Sequence, residues 1–273
     1  MGGWPHAPTF YEVDAYARRS RRTAHAELTT PRPAAPRIEG MDLRVVAQQR
    51  RGLLRPRRVW LMLLVAVVAG AAMAAPYVLL DIEASRLEVD GGLHYALLVA
   101  HVLTATVALV LGPLQFVPAI RAHRRWHRLI GRTYLLVGVL PAALAAIPVA
   151  LLSGRLVTQI GLVIPAIGWL VTGWLAVRAI RRGDVEAHRT WMTRNYALTF
   201  LAVTARIVVP AVLLILLATG AVARADASTA AASLIPIGQV LGWIINLVVA
   251  EVLIRRRRGM IAGSVRSPSF RPR

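Results

Sequence analysis

The sequence predicts an all-α fold, a polytopic transmembrane helical bundle of six spans, and three observations carry that expectation. Apolar residues make up 56% of the 273, and they fall in blocks rather than being spread as a globular core requires. Between Val59 and Ile254 the blocks are 19 to 27 residues long, and a bilayer core takes about 20 helical residues to cross. The charges, finally, gather between the blocks and on alternate sides of them.

Residues 1–58 mix Pro, Arg, Ala and Thr, as in TTPRPAAPRIEG, without sustained periodicity. Such a stretch buries too little apolar surface to offset its ordering entropy, so it reads as a disordered basic cytoplasmic tail. Within it, MDLRVVAQQRRGLLRPRR fits a basic amphipathic helix on anionic headgroups. Met41 competes with Met1 as the start of the chain. The tail is no signal peptide, because the first apolar block begins only at Val59 and is too long for an h-region.

The six spans of the 59–254 domain are drawn at Val59–Leu80, His94–Ile120, Tyr134–Leu152, Leu156–Ile180, Asn195–Thr219 and Ser233–Ile254, followed by a basic cytoplasmic tail over 255–273. With the N-terminus inside, the cytoplasmic segments hold 12, 5, 4 and 7 Arg, and each opposite loop holds one, at Arg86, Arg155 and Arg224. That asymmetry places both termini in the cytoplasm. Spans three and four, joined only around Ser153 and Gly154, form a tight antiparallel hairpin.

A formal charge of +20 raises nucleic-acid binding, but the charges sit at span ends. The expected partners are the lipid bilayer, its anionic headgroups and a further membrane protein, and no nucleic acid. Every basic residue is Arg and none is Lys, which with the Ala-rich composition points to a GC-rich bacterial genome and the bacterial cytoplasmic (inner) membrane. With no Cys in the chain, disulfides, thiolate metal sites and a Cys nucleophile are excluded. No P-loop, dinucleotide fingerprint, HExxH or GxSxG motif occurs, which argues against hydrolytic chemistry and leaves enzymatic activity open.

Two stretches read as cytoplasmic loops, RAHRRWHRLIGR and RRGDVEAHRTWMTR. HRLIGRTY from His127 and HRTWMTRNY from His188 share His-Arg and then Arg-x-Tyr, the pattern of a diverged helix-pair repeat; membrane folds often place sites at such interfaces. The motifs GPLQF, HRLIGRTY and HRTWMTRNYALTF with Arg206 following resemble the prokaryotic predicted membrane-protein family catalogued as domain of unknown function 2306. The resemblance runs from about His101 to Pro210. It implies a multi-span membrane protein and no settled activity.

Candidate site residues come from polar groups that the membrane would penalise. His127 and His188, with Arg128, Arg132, Arg189 and Arg194 beside them, are expected near the cytoplasmic interface. They either anchor helices to phosphate headgroups or hold a ligand. His101 shares a face with Thr104 and Gln115 and lies about 10 Å below the outer end of its span, at 1.5 Å per residue. It is either hydrogen-bonded to a neighbouring helix or a cofactor ligand.

Arg206 lies eleven residues into span five, where a charge costs roughly 2.5 to 3.5 kcal/mol. It is expected to turn inward, meet the His101, Thr104 and Gln115 face and contact Gln115, Trp243 or Asn246. The leading function class is therefore a redox protein with a b-type haem between His127 and His188; His101, roughly 20 Å of helix from His127, cannot share that iron. Against it stand an anion or lipid transporter or binding protein using Arg206, Gln115, Arg132, Arg194 and Asn246, and a non-catalytic membrane subunit.

Overall fold

The structure is a computed structural model that describes residues 56–80 and 91–265. The expected disordered tail and its amphipathic segment up to residue 55, the expected outer loop from Asp81 and the last eight residues lie outside the described residues, whereas 56–58 and 255–265, expected as tail, are helical.

Among the described residues six helices are long and apolar enough to cross a membrane: Arg57–Val78, Gly92–Leu114, Arg124–Leu152, Leu156–Arg181, Leu201–Ala218 and Arg224–Met260. In chain order the α-helices are α1 (Pro56–Val78), α2 (Gly92–Leu114), α3 (Pro118–Ala122), α4 (Arg124–Thr133), α5 (Leu140–Leu152), α6 (Leu156–Arg181), α7 (Val185–Thr199), α8 (Leu201–Ala218) and α9 (Ala227–Val265). A π-helical stretch, Tyr134–Val139, joins α4 to α5 within the third span. It ends two residues before Pro141, which has no N–H for the preceding turn, and such wide turns re-aim side chains without ending a helix.

Two expectations are corrected. Span two was expected to run to Ile120, but α2 ends at Leu114. Val117 precedes Pro118 and is extended (φ −68°, ψ 122°), as the proline ring requires of its neighbour. The two stretches read as loops are largely helical, forming α3 and α4 in one case and most of α7 in the other. In α7 the Asp184 side chain accepts from the Ala187 N–H at 2.8 Å, a true N-cap, after a turn in which Gly183 takes φ 78°. Charge density masked helical periodicity in both stretches.

Helix α1 packs on α2, α2 on α5, α5 on α6, α6 on α7, and α9 on α8, α6 and α7. Spans three and four are thus the antiparallel hairpin that their short connection demanded. The core is built from small residues and a few aromatics: Ala108, Ala142, Ala143, Ala146, Ala166, Trp169, Tyr134 and Tyr196. Without a hydrophobic force between helices in lipid, close backbone approach supplies the packing energy. A Cβ at Gly138 would stand 2.9 Å from the Ala108 backbone, and one at Gly112 would stand 2.0 Å from the Tyr196 ring. Outward faces are apolar as lipid requires, with Leu61, Ile207, Leu214 and Val248 all exposed.

Candidate polar core and basic end

Two polar constellations stand out, one at the centre of the bundle and one at the end where most Arg residues collect, called here the basic end.

The central one is closed on itself. The Tyr134 hydroxyl donates to Asn195 Oδ1 at 2.6 Å and lies 2.8 Å from the Thr199 hydroxyl. Trp169 Nε1–H donates to Thr199 Oγ1 at 2.9 Å. Asn195 gives its two amide hydrogens to the Trp169 carbonyl and to Thr172 Oγ1, both at 2.8 Å. Tyr196, one residue on, donates to the Leu109 carbonyl of α2 at 3.1 Å. Asn195 is fully buried, and its side chain ties α7 to two other helical segments at once. In hydrocarbon each of these groups would be costly alone; together they satisfy one another. The Arg-x-Tyr halves of the two motifs therefore meet as packing, with the Tyr134 and Tyr196 ring centroids 6.5 Å apart.

At the kink between α7 and α8, Asn246 of α9 donates Nδ2–H to the Ala197 carbonyl at 3.0 Å and accepts from Thr204 at 2.8 Å. One side chain thus ties both sides of the kink to the sixth span. Arg194 pairs with Glu251 through Nε and Nη2, the latter at 3.2 Å, and its guanidinium lies 4.5 Å over the Trp191 ring. Gln115, just past the end of α2, packs over Gly131, and its amide nitrogen is buried with no hydrogen-bond partner among the described residues. Arg132 is exposed.

The expected meeting of Arg206 with the His101 face does not occur. Arg206 is exposed on α8, and its Nη1 donates back to the Ala202 carbonyl of its own helix at 2.9 Å. The helix breaks at Phe200, so the face counted from Asn195 does not continue through α8, and Arg206 lies on the outward side. Its guanidinium folds back one turn along its own helix. His101 meets a neighbouring helix, with Nδ1–H donating to the Ala142 carbonyl at 2.9 Å.

The basic end gathers side chains from four helices. His188 of α7 donates Nδ1–H to the Ala176 carbonyl of α6 at 2.9 Å. His127 of α4 lies within electrostatic range of His188, Arg121 and Arg189, so the two motif histidines share one neighbourhood. Arg257 of α9 is 9% exposed, with Nη2 3.0 Å from Glu186 Oε2; Arg189 stands 3.9 Å from the same carboxylate. The Arg257–Glu186 contact is an ion pair by distance but not an oriented hydrogen bond, since Nε and Nη2 of Arg257 are buried with no hydrogen-bond partner among the described residues. Arg121 Nε and His127 Nδ1 are in the same position. Partial burial, then the charges of Arg189 and Arg257, push the Arg121 pKa below its ordinary value. Two guanidiniums thus share one carboxylate, and a third, Arg121, stands within electrostatic range of both.

Arg121, Arg257 and Glu186 were not among the expected site residues, and only part of the signal was in the sequence. Ala250, Ile254 and Arg257 are buried at helical 4-3 spacing, so the inward stripe of the sixth span continues into the four-Arg run. Arg121 was hidden by the unforeseen break before α3.

The fold and its polar interior define a polytopic α-helical membrane protein with a hydrogen-bonded core and one strongly basic end. Residues 98–254 match the family model described as Predicted membrane protein (DUF2306), and the chain belongs to that family. The match extends through the sixth span, further than the motifs alone reached. No curated protein matches the chain, and no solved structure does.

Proposed function

We propose that this protein resides in the bacterial cytoplasmic membrane with the basic end and both termini inside, and that it binds a phosphate- or carboxylate-bearing anion there through Arg121, Arg189 and Arg257, with His127 and His188 beside them. The observation that carries this reading is the imbalance at the site: three mutually repelling guanidiniums, two of them sharing Glu186, with nitrogens of Arg121, His127 and Arg257 that have no hydrogen-bond partner among the described residues. Half-buried like charges destabilise one another, and a planar guanidinium suits oxyanions in particular. The test is thermal unfolding of purified protein with added inorganic phosphate, or with anionic lipid in the micelle. Binding at 100 times Kd stabilises by about 2.7 kcal/mol, and that gain should vanish in Arg121→Gln/Arg257→Gln. Equal responses in wild type and variant would sink the proposal. Reporter fusions after Glu88 and Arg258 check the orientation and should report opposite sides.

A second reading, a b-type haem held by His127 and His188, has its own support. His188 commits Nδ1–H to a backbone carbonyl, as metal-bound histidines do, and so keeps Nε2 for a ligand. The residues are of the right kind: two histidines from different helices in one neighbourhood, with Arg121 and Arg189 for the propionates. A Soret band in the purified protein that is lost in His188→Ala supports this reading, and a colourless protein after expression with haem precursor removes it.

A further inference from the structure

We infer that the bundle holds a second, membrane-facing site, for a quinone-class molecule that enters sideways from the bilayer between α6 and α9. A cavity of about 300 Å³ lies there, walled by Ile164, Pro165 and Gly168 of α6, Leu198 of α7 and Trp243 and Leu247 of α9, with Arg194 and Glu251 at its basic end. That volume reaches the lower bound of ligand pockets, roughly 300 Å³. Gly168 offers no side chain to fill it, and Ile164, 48% exposed, forms its lipid-side rim.

The chemistry of the occupant follows from Trp243. Its indole N–H is buried and has no hydrogen-bond partner among the described residues. Trp243 stands eleven residues before Ile254 in α9, about 16 Å along the helix at 1.5 Å per residue, close to the middle of a bilayer core of about 30 Å. Phospholipid headgroups and ester carbonyls do not reach that depth, and an acyl chain carries no acceptor. Of the other polar groups nearby, Thr172 on the wall already donates to the Gly168 carbonyl and accepts from Asn195, and Gln239, one turn before Trp243 on α9, has a buried Oε1 with no hydrogen-bond partner among the described residues. A hydrophobe with an embedded carbonyl meets the indole N–H. At the other end, Arg194 uses Nε and Nη2 on Glu251 and keeps Nη1 outside that pair, a second donor. Donors at both ends of an apolar slot suit a flat ring with acceptors at opposite edges, which is the chemistry of a quinone. The inference does not rest on the anion site.

The experiment is uptake of a decyl-substituted benzoquinone by purified protein in detergent, read as quinone retained after gel filtration. Wild type should bind it saturably at one per chain. Trp243→Phe keeps the ring and removes only the N–H, and should weaken binding about tenfold, as loss of one hydrogen bond does. Ile164→Trp blocks the rim from the lipid side without touching the core, and should abolish uptake; it carries the test if Trp243→Phe elutes as aggregate. Arg257→Gln should bind as wild type, which separates this site from the basic end. No saturable uptake by wild type, unchanged affinity in both cavity variants, or equal uptake of plain decane overturns the inference.

Discussion

Replacing Asn195 with Ala isolates the central network, because this one side chain bridges three helical segments. The change deletes three interhelical hydrogen bonds, from Tyr134 and to the Trp169 carbonyl and Thr172. Such bonds in a membrane bundle average about 0.6 and reach at most about 1.7 kcal/mol each, which brackets the loss between about 2 and 5 kcal/mol. Partial rescue lowers the upper figure. Tyr134 still has Thr199 at 2.8 Å, and Thr172 already donates to the Gly168 carbonyl at 2.7 Å, so neither hydroxyl is stranded. A small cavity is left, since Asn195 is wholly buried, and the void raises the lower figure. The expected destabilisation is about 2 to 4 kcal/mol. Reversible unfolding in mixed micelles of mild detergent and SDS measures it, with Tyr134→Phe as a companion costing about 1 kcal/mol and coupling to the first by a comparable amount in a double-mutant cycle. An Asn195→Ala protein as stable as wild type would falsify the view that this network holds the bundle together.

Three other outcomes follow from the same geometry. Gly138→Ala forces a Cβ to within 2.9 Å of the Ala108 backbone and should cost about 1 to 3 kcal/mol by overpacking, read in the same unfolding assay; a neutral result would mean that α2 and the third span pack less closely. Arg206→Leu, on the lipid-facing side of α8, should leave yield and stability within about 0.5 kcal/mol of wild type, whereas an inward-facing Arg predicts a clear loss. Arg194→Gln breaks a pair whose side chains are 22% and 36% exposed, so after allowance for screening it should cost no more than about 1 kcal/mol. The carboxylate of Glu251 should at the same time become reactive to a water-soluble carbodiimide, and protection equal to wild type would refute the pairing.

The sequence by itself determined the class of fold, the number of spans and the spans-three-and-four hairpin, since bilayer thickness and backbone hydrogen bonding leave an apolar 20-residue block few alternatives. It also located the motifs that matter, HRLIGRTY and HRTWMTRNY, though not what they do. Tertiary structure decided that. The tyrosines and Asn195 turned inward because the π-helical stretch ahead of Pro141 and the kink at Phe200 reset which residues share a face, and no 3.6-residue count run through those breaks gives the right partners. Arg206 shows the same effect in reverse: counted from Asn195 it falls on an inward stripe, but α8 starts afresh after Phe200 and turns it outward, where it folds back along its own helix. The basic end needed most from the third dimension. Arg121, Arg189 and Arg257 are separated by up to 136 positions, and their mutual repulsion arises only where the fold brings the three side chains within electrostatic range, because Coulomb energy depends on distance through space and not along the chain.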